Sequence, residues 1–153
     1  MVKTNDQVED FTILITGDRK KQLSDYQGQY LVLYFYPKAS TPGCTTESIE
    51  FTEHYAEFQK AGVEILGVSM DSLKRQENFK AKHDFSFDLI ADTEEELCNY
   101  FDVIKEKKMY GKTFMGIERS TFLLDQQGRL VHEWRKVKVK GHVEEVLTHV
   151  QNL

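Results

Sequence analysis

The chain has 153 residues, of which 40% are hydrophobic and 29% charged, as in a soluble globular protein with a core of its own. Its formal net charge of -5 gives no support to a nucleic-acid partner. No apolar run is long enough to cross a bilayer and the first residues lack an apolar secretory core, so we expect cytoplasmic residence and no membrane partner. Because no internal repeat or linker interrupts the sequence, we expect residues 1–153 to form a single domain.

Apolar runs and turn signals divide the first half of the chain into strands and helices. The predicted elements there are a strand at 11–16, a buried strand at 30–36, a helix at 45–60, a buried strand at 63–69 and a helix from Asp71 or Ser72 to Lys82. The central strand at 30–36 is short and strongly aromatic, which is typical of a strand buried on both faces.

The second half continues the alternation. We predict a strand at 87–91, a short acidic helix at 93–101, an irregular segment at 105–117, a hairpin of strands 121–125 and 130–134, and a closing helix at 142–150. Between the hairpin and the last helix, lysine alternates with valine at 135–140, which indicates a protected edge strand or a docking patch for an acidic reductant. This order predicts an α/β protein with a central mixed sheet flanked by helices.

The turn between the first buried strand and the first long helix contains both prolines and Cys44. Thr41 suits the N-cap and Pro42 the first helical position, which places Cys44 in the first helical turn. Backbone N–H groups there have no intrahelical partner and the helix dipole is positive, so the position stabilises a thiolate. The carboxyl end of a central strand is also where α/β folds place their chemistry. The residues alone leave a structural cysteine open.

The same turn carries a family resemblance. Pro37, Thr41 and Cys44 match the Pro-x-x-x-Thr-x-x-Cys signature of peroxiredoxins. The wider stretches 34–47, 111–117 and 119–125 resemble the bacterioferritin-comigratory-protein, or peroxiredoxin Q, branch. This resemblance implies a thioredoxin-like fold and a thiol-dependent peroxidase. The substrates it implies are hydrogen peroxide and organic hydroperoxides, reduced through a cysteine sulfenic acid without a metal or cofactor.

The resemblance also implies roles for individual residues. Cys44 would be the nucleophile, Thr41 would hydrogen-bond the sulfur and the peroxide, and Pro37 would shape the loop. The backbone amides of Gly43 and Cys44 would act as fixed donors to the substrate. Arg119, far away in sequence, would bring its guanidinium beside the sulfur.

Two further positions bear on this assignment. Glu47 is a candidate for orienting Arg119. Relatives often carry a resolving cysteine one helical turn beyond the catalytic one, where this chain has Ile49. Cys98 is a candidate resolving cysteine, but a cysteine beside Leu97 and Phe101 also fits a structural role.

If Cys98 is structural, the sulfenic acid must be reduced by an external thiol. Thioredoxin, glutaredoxin or a low-molecular-weight thiol are the expected reducing partners, and we expect a monomer or weak homodimer. The five histidines show no ligand spacing, so no metal site is predicted.

Two other functions remain open at this point. A thiol-disulfide oxidoreductase of the same fold would need a Cys-x-x-Cys motif, whereas Thr45, Thr46 and Glu47 follow Cys44. A non-catalytic interaction module is the second alternative, and the intact set of Thr41, Cys44 and Arg119 argues against it.

Overall fold

The computed structural model describes residues 1–153 and is built on a seven-stranded mixed sheet. The strands of this sheet, in spatial order, are β2 (Arg19–Gln22), β1 (Thr12–Ile15), β5 (Asp88–Ala91), β4 (Val63–Ser69), β3 (Tyr30–Phe35), β8 (Ser120–Leu124) and β9 (Leu130–Trp134). Strands β3, β4 and β5 run parallel, and the outer strands pair with them in antiparallel fashion. The mixed sheet predicted from the sequence is therefore present.

Helices cover both faces of the sheet. They are α1 (Pro42–Glu53), α2 (Tyr55–Lys60), α3 (Leu73–His83), α4 (Glu96–Tyr100) and α5 (His142–Gln151), with a 3₁₀ turn at Leu23–Tyr26. None of these helices combines the length and apolar character needed to span a bilayer.

The central strand β3 supplies both halves of the core, because successive side chains of a strand point to opposite faces. Leu31, Leu33 and Phe35 join one apolar cluster, which α4 covers through Leu97, Cys98 and Phe101. Val32, Tyr34 and Tyr36 join the other cluster, and helices α1, α2, α3 and α5 pack there. Cys44 belongs to this second cluster, so the two cysteines lie in the cores on opposite faces of the sheet.

The first long helix begins at Pro42 with Thr41 at the N-cap, as the sequence predicts. The prediction of one continuous helix up to residue 60 is wrong. The helix is interrupted at His54, whose ψ of 5° lies outside the α-helical range, so that α2 starts as a separate element. Both pieces still bury an aromatic side chain, Phe51 and Phe58 respectively.

The segment 105–117 is not irregular, as predicted, but forms a second, two-stranded sheet of β6 (Ile104–Met109) and β7 (Lys112–Ile117). Tyr110 and Gly111 make its turn, and both have positive φ, as a type I′ hairpin turn requires. Most of its side chains are exposed or half-buried, so no apolar periodicity was available to reveal the strands.

Three further predictions need correction. The segment 135–140 is a loop and not an edge strand. Strand β2 was missed because an exposed edge strand of Arg, Lys, Lys and Gln has no apolar alternation. The helix predicted at 93–101 is confined to α4, because Glu95 adopts a left-handed φ of 60° and Asp92 accepts the N–H groups of Leu97 and Cys98.

One buried polar contact joins the first residue of α5 to strand β8. His142 is buried, and its Nε2 lies 2.7 Å from Thr121 Oγ1 on β8. The imidazole also meets the rings of Phe51 and Trp134 edge-on. Burial, assisted by the positive charge of Arg119, lowers the pKa of His142 to about 4.

The depressed pKa of His142 predicts a loss of stability in acid. The unfolded chain protonates this histidine near its ordinary pKa of 6.5, whereas the folded chain resists protonation down to about 4. The contribution of His142 to the free energy of unfolding is therefore complete above pH 6.5 and is lost as pH falls toward about 4. Between pH 7.5 and pH 5 the free energy of unfolding should fall by about 2 kcal/mol through this residue. Urea unfolding of wild type and His142→Gln at both pH values measures it. An identical pH dependence in both proteins would contradict the assignment.

Candidate active site

The loop between β3 and α1 reverses the chain within a few residues. Ser40 adopts a left-handed φ of 66°, which is uncommon for a residue with a side chain. The hydroxyl of Thr41 donates to the carbonyl of Lys38 at 2.8 Å. Thr41 occupies the N-cap position as predicted, but its hydroxyl makes no capping bond and no hydrogen bond to the sulfur of Cys44.

A buried carboxylate holds this loop from the neighbouring strand. Asp71, just after β4, accepts the N–H of Ala39 at 2.8 Å and the hydroxyl of Ser69 at 2.7 Å. The side chain of Asp71 is only 7% exposed. Because β3 and β4 run parallel, the loops at their carboxyl ends are adjacent, and Asp71 ties them together. Sequence reasoning treated Asp71 only as a helix-capping residue.

Arg119 lies against Cys44, where the resemblance placed it. Its Nη2 is 3.2 Å from Cys44 Sγ, and its Nη1 is 2.7 Å from Glu47 Oε1. Cys44 is 1% exposed and Glu47 is fully buried. Glu47 follows Cys44 by three residues on α1, so both side chains lie on one face of the helix and meet the same guanidinium.

The charges of this group are set by burial as much as by contact. Desolvation raises the pKa of Glu47 to about 7, although Arg119 acts in the opposite direction. Burial opposes the charge of Arg119 as well, but Glu47 and Cys44 together hold the pKa of the guanidinium above its ordinary value. Arg119 is therefore a permanent cation in contact with the sulfur.

Gly43 leaves the space that this contact needs. A Cβ atom at Gly43 would lie 3.4 Å from Arg119 Nη2, at the short limit of ordinary van der Waals contact. The first backbone hydrogen bond of α1 runs from Thr45 N–H to the carbonyl of Thr41. The N–H groups of Gly43 and Cys44 precede it and remain without an acceptor inside the helix. Pro37, which is half-buried, opens the loop that leads to this turn.

Comparison with known proteins identifies the family. The model of the AhpC/TSA family matches residues 4–133. Peroxiredoxin Bcp of Xanthomonas campestris pv. campestris is 55% identical over 138 residues, which cover 90% of this chain and 86% of the relative. Peroxiredoxin Bcp of Bacillus subtilis is 53% identical over 132 residues, covering 86% and 84% of the two chains. The chain belongs to the peroxiredoxin family.

Solved structures agree with the fold. A peroxiredoxin Q mutant of Xylella fastidiosa matches with a TM-score of 0.95 and 45% identity over 99% of this chain and 97% of that chain. The bacterioferritin comigratory protein of Xanthomonas campestris, studied for its alkyl peroxide reduction activity, matches with a TM-score of 0.88 and 52% identity over 93% and 90% of the chains. The thioredoxin-like fold predicted from the sequence is confirmed.

This peroxiredoxin is a thiol peroxidase, which reduces a peroxide at the expense of a thiol. Neither alternative function, a thiol-disulfide oxidoreductase or a non-catalytic module, is favoured by these relatives. No group of three or more His, Cys, Asp or Glu side chains is arranged to hold a metal ion.

Cys98 lies apart from the site of this peroxiredoxin. It is fully buried in α4, and its backbone N–H is held by Asp92 at 2.9 Å. Burial, followed by the negative charge of Asp92, raises the pKa of the Cys98 thiol far above its ordinary value. The sheet separates Cys98 from Cys44, because the two belong to the cores on opposite faces.

The position of Asp71 predicts that it keeps the active-site loop closed. In Asp71→Ala the N–H of Ala39 loses its acceptor, so trypsin should cleave after Lys38 at least about fivefold faster, as expected for a loss of about 1 kcal/mol. Time-resolved mass spectrometry of the digest measures this cleavage.

Ser72→Ala is the matched control. It removes the cap of α3, where Ser72 accepts the N–H of Arg75, but does not touch the loop. Equal acceleration in both variants would show that general destabilisation is the cause and would remove Asp71 from this role.

Proposed function

We propose that Cys44 is the residue that attacks the peroxide, and that the enzyme works without any other nucleophile. The observation that carries this proposal is the 3.2 Å contact between Arg119 and the sulfur of a cysteine in the first turn of a helix. Both features stabilise a thiolate, and the thiolate is the reactive form of cysteine. Arg119, Glu47 and Cys44 meet within one chain, so the proposed chemistry needs no second copy. We propose a monomer or weak homodimer in which residues 1–153 form one domain.

The reaction follows from this arrangement. The Cys44 thiolate attacks the terminal oxygen of a peroxide, a sulfur–oxygen bond forms, and the oxygen–oxygen bond breaks. Cys44 becomes a sulfenic acid and the leaving oxygen takes up a proton to give water or an alcohol. Arg119 stabilises the thiolate first and then the negative charge that develops on the peroxide oxygens. The N–H groups of Gly43 and Cys44 are the other donors that the turn offers.

Thr41 and Pro37 have supporting roles in this proposal. The hydroxyl of Thr41 uses its proton on the Lys38 carbonyl, so its oxygen is left as an acceptor for the proton of the incoming peroxide. Pro37 fixes the start of the loop. The closely similar Xanthomonas campestris protein has alkyl peroxide reduction activity, which supports organic hydroperoxides as substrates beside hydrogen peroxide.

The position of Cys98 supports reduction by an external thiol. A disulfide requires Cα atoms within about 7 Å, whereas here a whole β-sheet lies between the two cysteines. Ile49, where relatives often have a resolving cysteine, offers no thiol. The oxidised Cys44 is therefore reduced by thioredoxin, glutaredoxin or a low-molecular-weight thiol.

Two thiol variants test the proposal. Cys44→Ser should lose peroxide consumption, because serine cannot form a sulfenic acid, while Cys98→Ser should retain it when a thiol reductant is supplied. The assay is peroxide consumption with dithiothreitol, alongside circular dichroism to verify folding. Turnover by a folded Cys44→Ser protein would sink the assignment. Loss of turnover in Cys98→Ser, with a Cys44–Cys98 disulfide found by peptide mapping, would make Cys98 the resolving residue.

A second pair of variants tests Arg119. Arg119→Met removes the cation and should slow oxidation of Cys44 by hydrogen peroxide about a hundredfold, the effect of removing one fixed donor from a transition state. Arg119→Lys keeps the charge without the two-pronged geometry and should fall between wild type and Arg119→Met. Single-turnover oxidation is followed by stopped-flow fluorescence of Trp134, whose ring contacts that of His142. Equal rates in all three proteins would exclude Arg119 from catalysis.

A further inference from the structure

Charge is distributed very unevenly over this acidic protein. The segments 105–117 and 135–140 contain eight basic residues and a single acidic one, Glu106. The remaining chain has 12 basic and 24 acidic residues. The two segments are therefore strongly basic, whereas the rest of the chain is strongly acidic.

The structure brings the loop 135–140 to the active site. The N–H of Val137 donates to the backbone carbonyl of Arg119 at 3.0 Å. Val139 Cγ2 lies 4.0 Å from the position of a Cβ atom at Gly43. Because the half-buried valines alternate with exposed residues, Lys136, Lys138 and Lys140 all point to solvent around the entrance.

The β6–β7 hairpin approaches the site from another side. Lys107 is half-buried, and burial lowers the pKa of its ammonium group. The charge of Arg119 lowers this pKa further and that of Cys44 opposes the shift, so Lys107 lies within electrostatic range of both. A Cβ atom at Gly116 would lie 3.4 Å from Lys107 Cδ and 3.3 Å from Phe114 Cε2, and Lys107 and Phe114 are cross-strand partners, so the two side chains share one face. The hairpin also exposes large apolar side chains: Met109 is 57% exposed, Tyr110 96%, Phe114 42% and Met115 62%.

We name these four lysines and the four exposed apolar residues of the hairpin the basic face. We propose that the basic face docks an acidic dithiol protein that reduces oxidised Cys44. This inference rests on the proposed function, because the external reductant attacks Cys44 itself only if Cys98 does not first resolve the sulfenic acid. The 135–140 loop and Lys107 lie beside the site, so a protein that reaches Cys44 comes close to the basic face.

The chemistry of the surface selects a protein as the partner. Exposed lysines attract an acidic surface, and complementary charge of this kind raises the rate of encounter. Exposed Met, Tyr and Phe side chains provide the apolar contact area found at protein interfaces. A tripeptide thiol such as glutathione is too small to cover a hairpin and a separate loop together.

The reaction balances with a dithiol partner. Its first thiol attacks the sulfur of the Cys44 sulfenic acid, a mixed disulfide forms, and water leaves. The second thiol of the partner then attacks the partner's own sulfur in that disulfide, which releases reduced Cys44. Two electrons pass from the dithiol, which leaves as a disulfide, and no further oxidant or reductant is needed.

Charge reversal tests the proposal. In Lys136→Glu/Lys138→Glu/Lys140→Glu, the second-order rate constant for reduction by a thioredoxin of net negative charge should fall at least about tenfold relative to the rate constant with uncharged dithiothreitol. The rates are measured by stopped flow on protein first oxidised with one equivalent of hydrogen peroxide, at about 20 mM and about 300 mM salt. Wild type should lose thioredoxin rate as salt rises, and the variant should not.

The matched control is Lys20→Glu/Lys60→Glu/Lys82→Glu, which changes the net charge equally. Lys20 lies on the far edge strand, and Lys60 and Lys82 precede the amino ends of β4 and β5, away from the site. All three are exposed. This control should keep the ratio of thioredoxin to dithiothreitol rates that wild type has.

Three results would overturn the proposal. These are an unchanged thioredoxin rate in the first variant, an equal loss in the control, or an equal loss with glutathione, which would indicate attraction of any anionic thiol. A separate measurement tests the proposed function itself. If Cys44 does not react with peroxide, hydrogen peroxide will produce no Cys44 sulfenic acid in wild type, as measured by dimedone labelling and mass spectrometry.

Discussion

The candidate active site depends on the buried ion pair between Arg119 and Glu47. Without Glu47 the desolvation of the buried guanidinium would be uncompensated. Removal of one partner of a buried ion pair typically destabilises a protein by roughly 3–5 kcal/mol. Glu47 uses only one oxygen on Arg119, and its second oxygen, Oε2, has no partner. The carboxylate is therefore held in place by the arginine alone, and the arginine is in turn held against the sulfur. The Arg119–Glu47 pair thus fixes the position of the positive charge beside the sulfur of Cys44.

The topology of the sheet explains why residues so distant in sequence meet. Strand β8 is antiparallel to β3, and Ser120 pairs with Phe35 at the end of β3. Arg119 directly precedes Ser120, so it lies at the carboxyl end of β3, where α1 begins. Helix α1 contributes Cys44 and Glu47 at a spacing of one turn. The start of β8 and the first turn of α1 therefore lie side by side because of the strand order, and the surface loops are not needed to bring them together.

The sequence alone was sufficient where burial imposed a pattern. Strands β4 and β9 were predicted with their observed bounds, and α5 to within one residue, because apolar residues mark their inward faces. Arg119 was placed beside Cys44 only through family resemblance, since nothing in its spacing indicates the contact. The β6–β7 hairpin and the anchoring role of Asp71 escaped prediction for a different reason. An exposed hairpin has no buried face to create a pattern, and a bond between adjacent loops depends on a strand order that local sequence does not contain.

The closed site suits a peroxide better than it suits a protein thiol. Cys44 is 1% exposed, so a reductant's sulfur reaches it only when the first turn of α1 moves. The interactions that oppose that movement include the Ala39–Asp71 and Thr41–Lys38 hydrogen bonds and the contact with Arg119. The hydroxyl groups of Thr45 and Thr46 also bond to carbonyls of the first turn. Ser40, in its left-handed conformation, stores backbone strain that opening would release. Oxidation itself converts the sulfur from an anion to a neutral group, which weakens its attraction to Arg119. In the proposed mechanism, oxidation of Cys44 therefore weakens one of the contacts that hold the first turn of α1, at the stage when the reductant needs access.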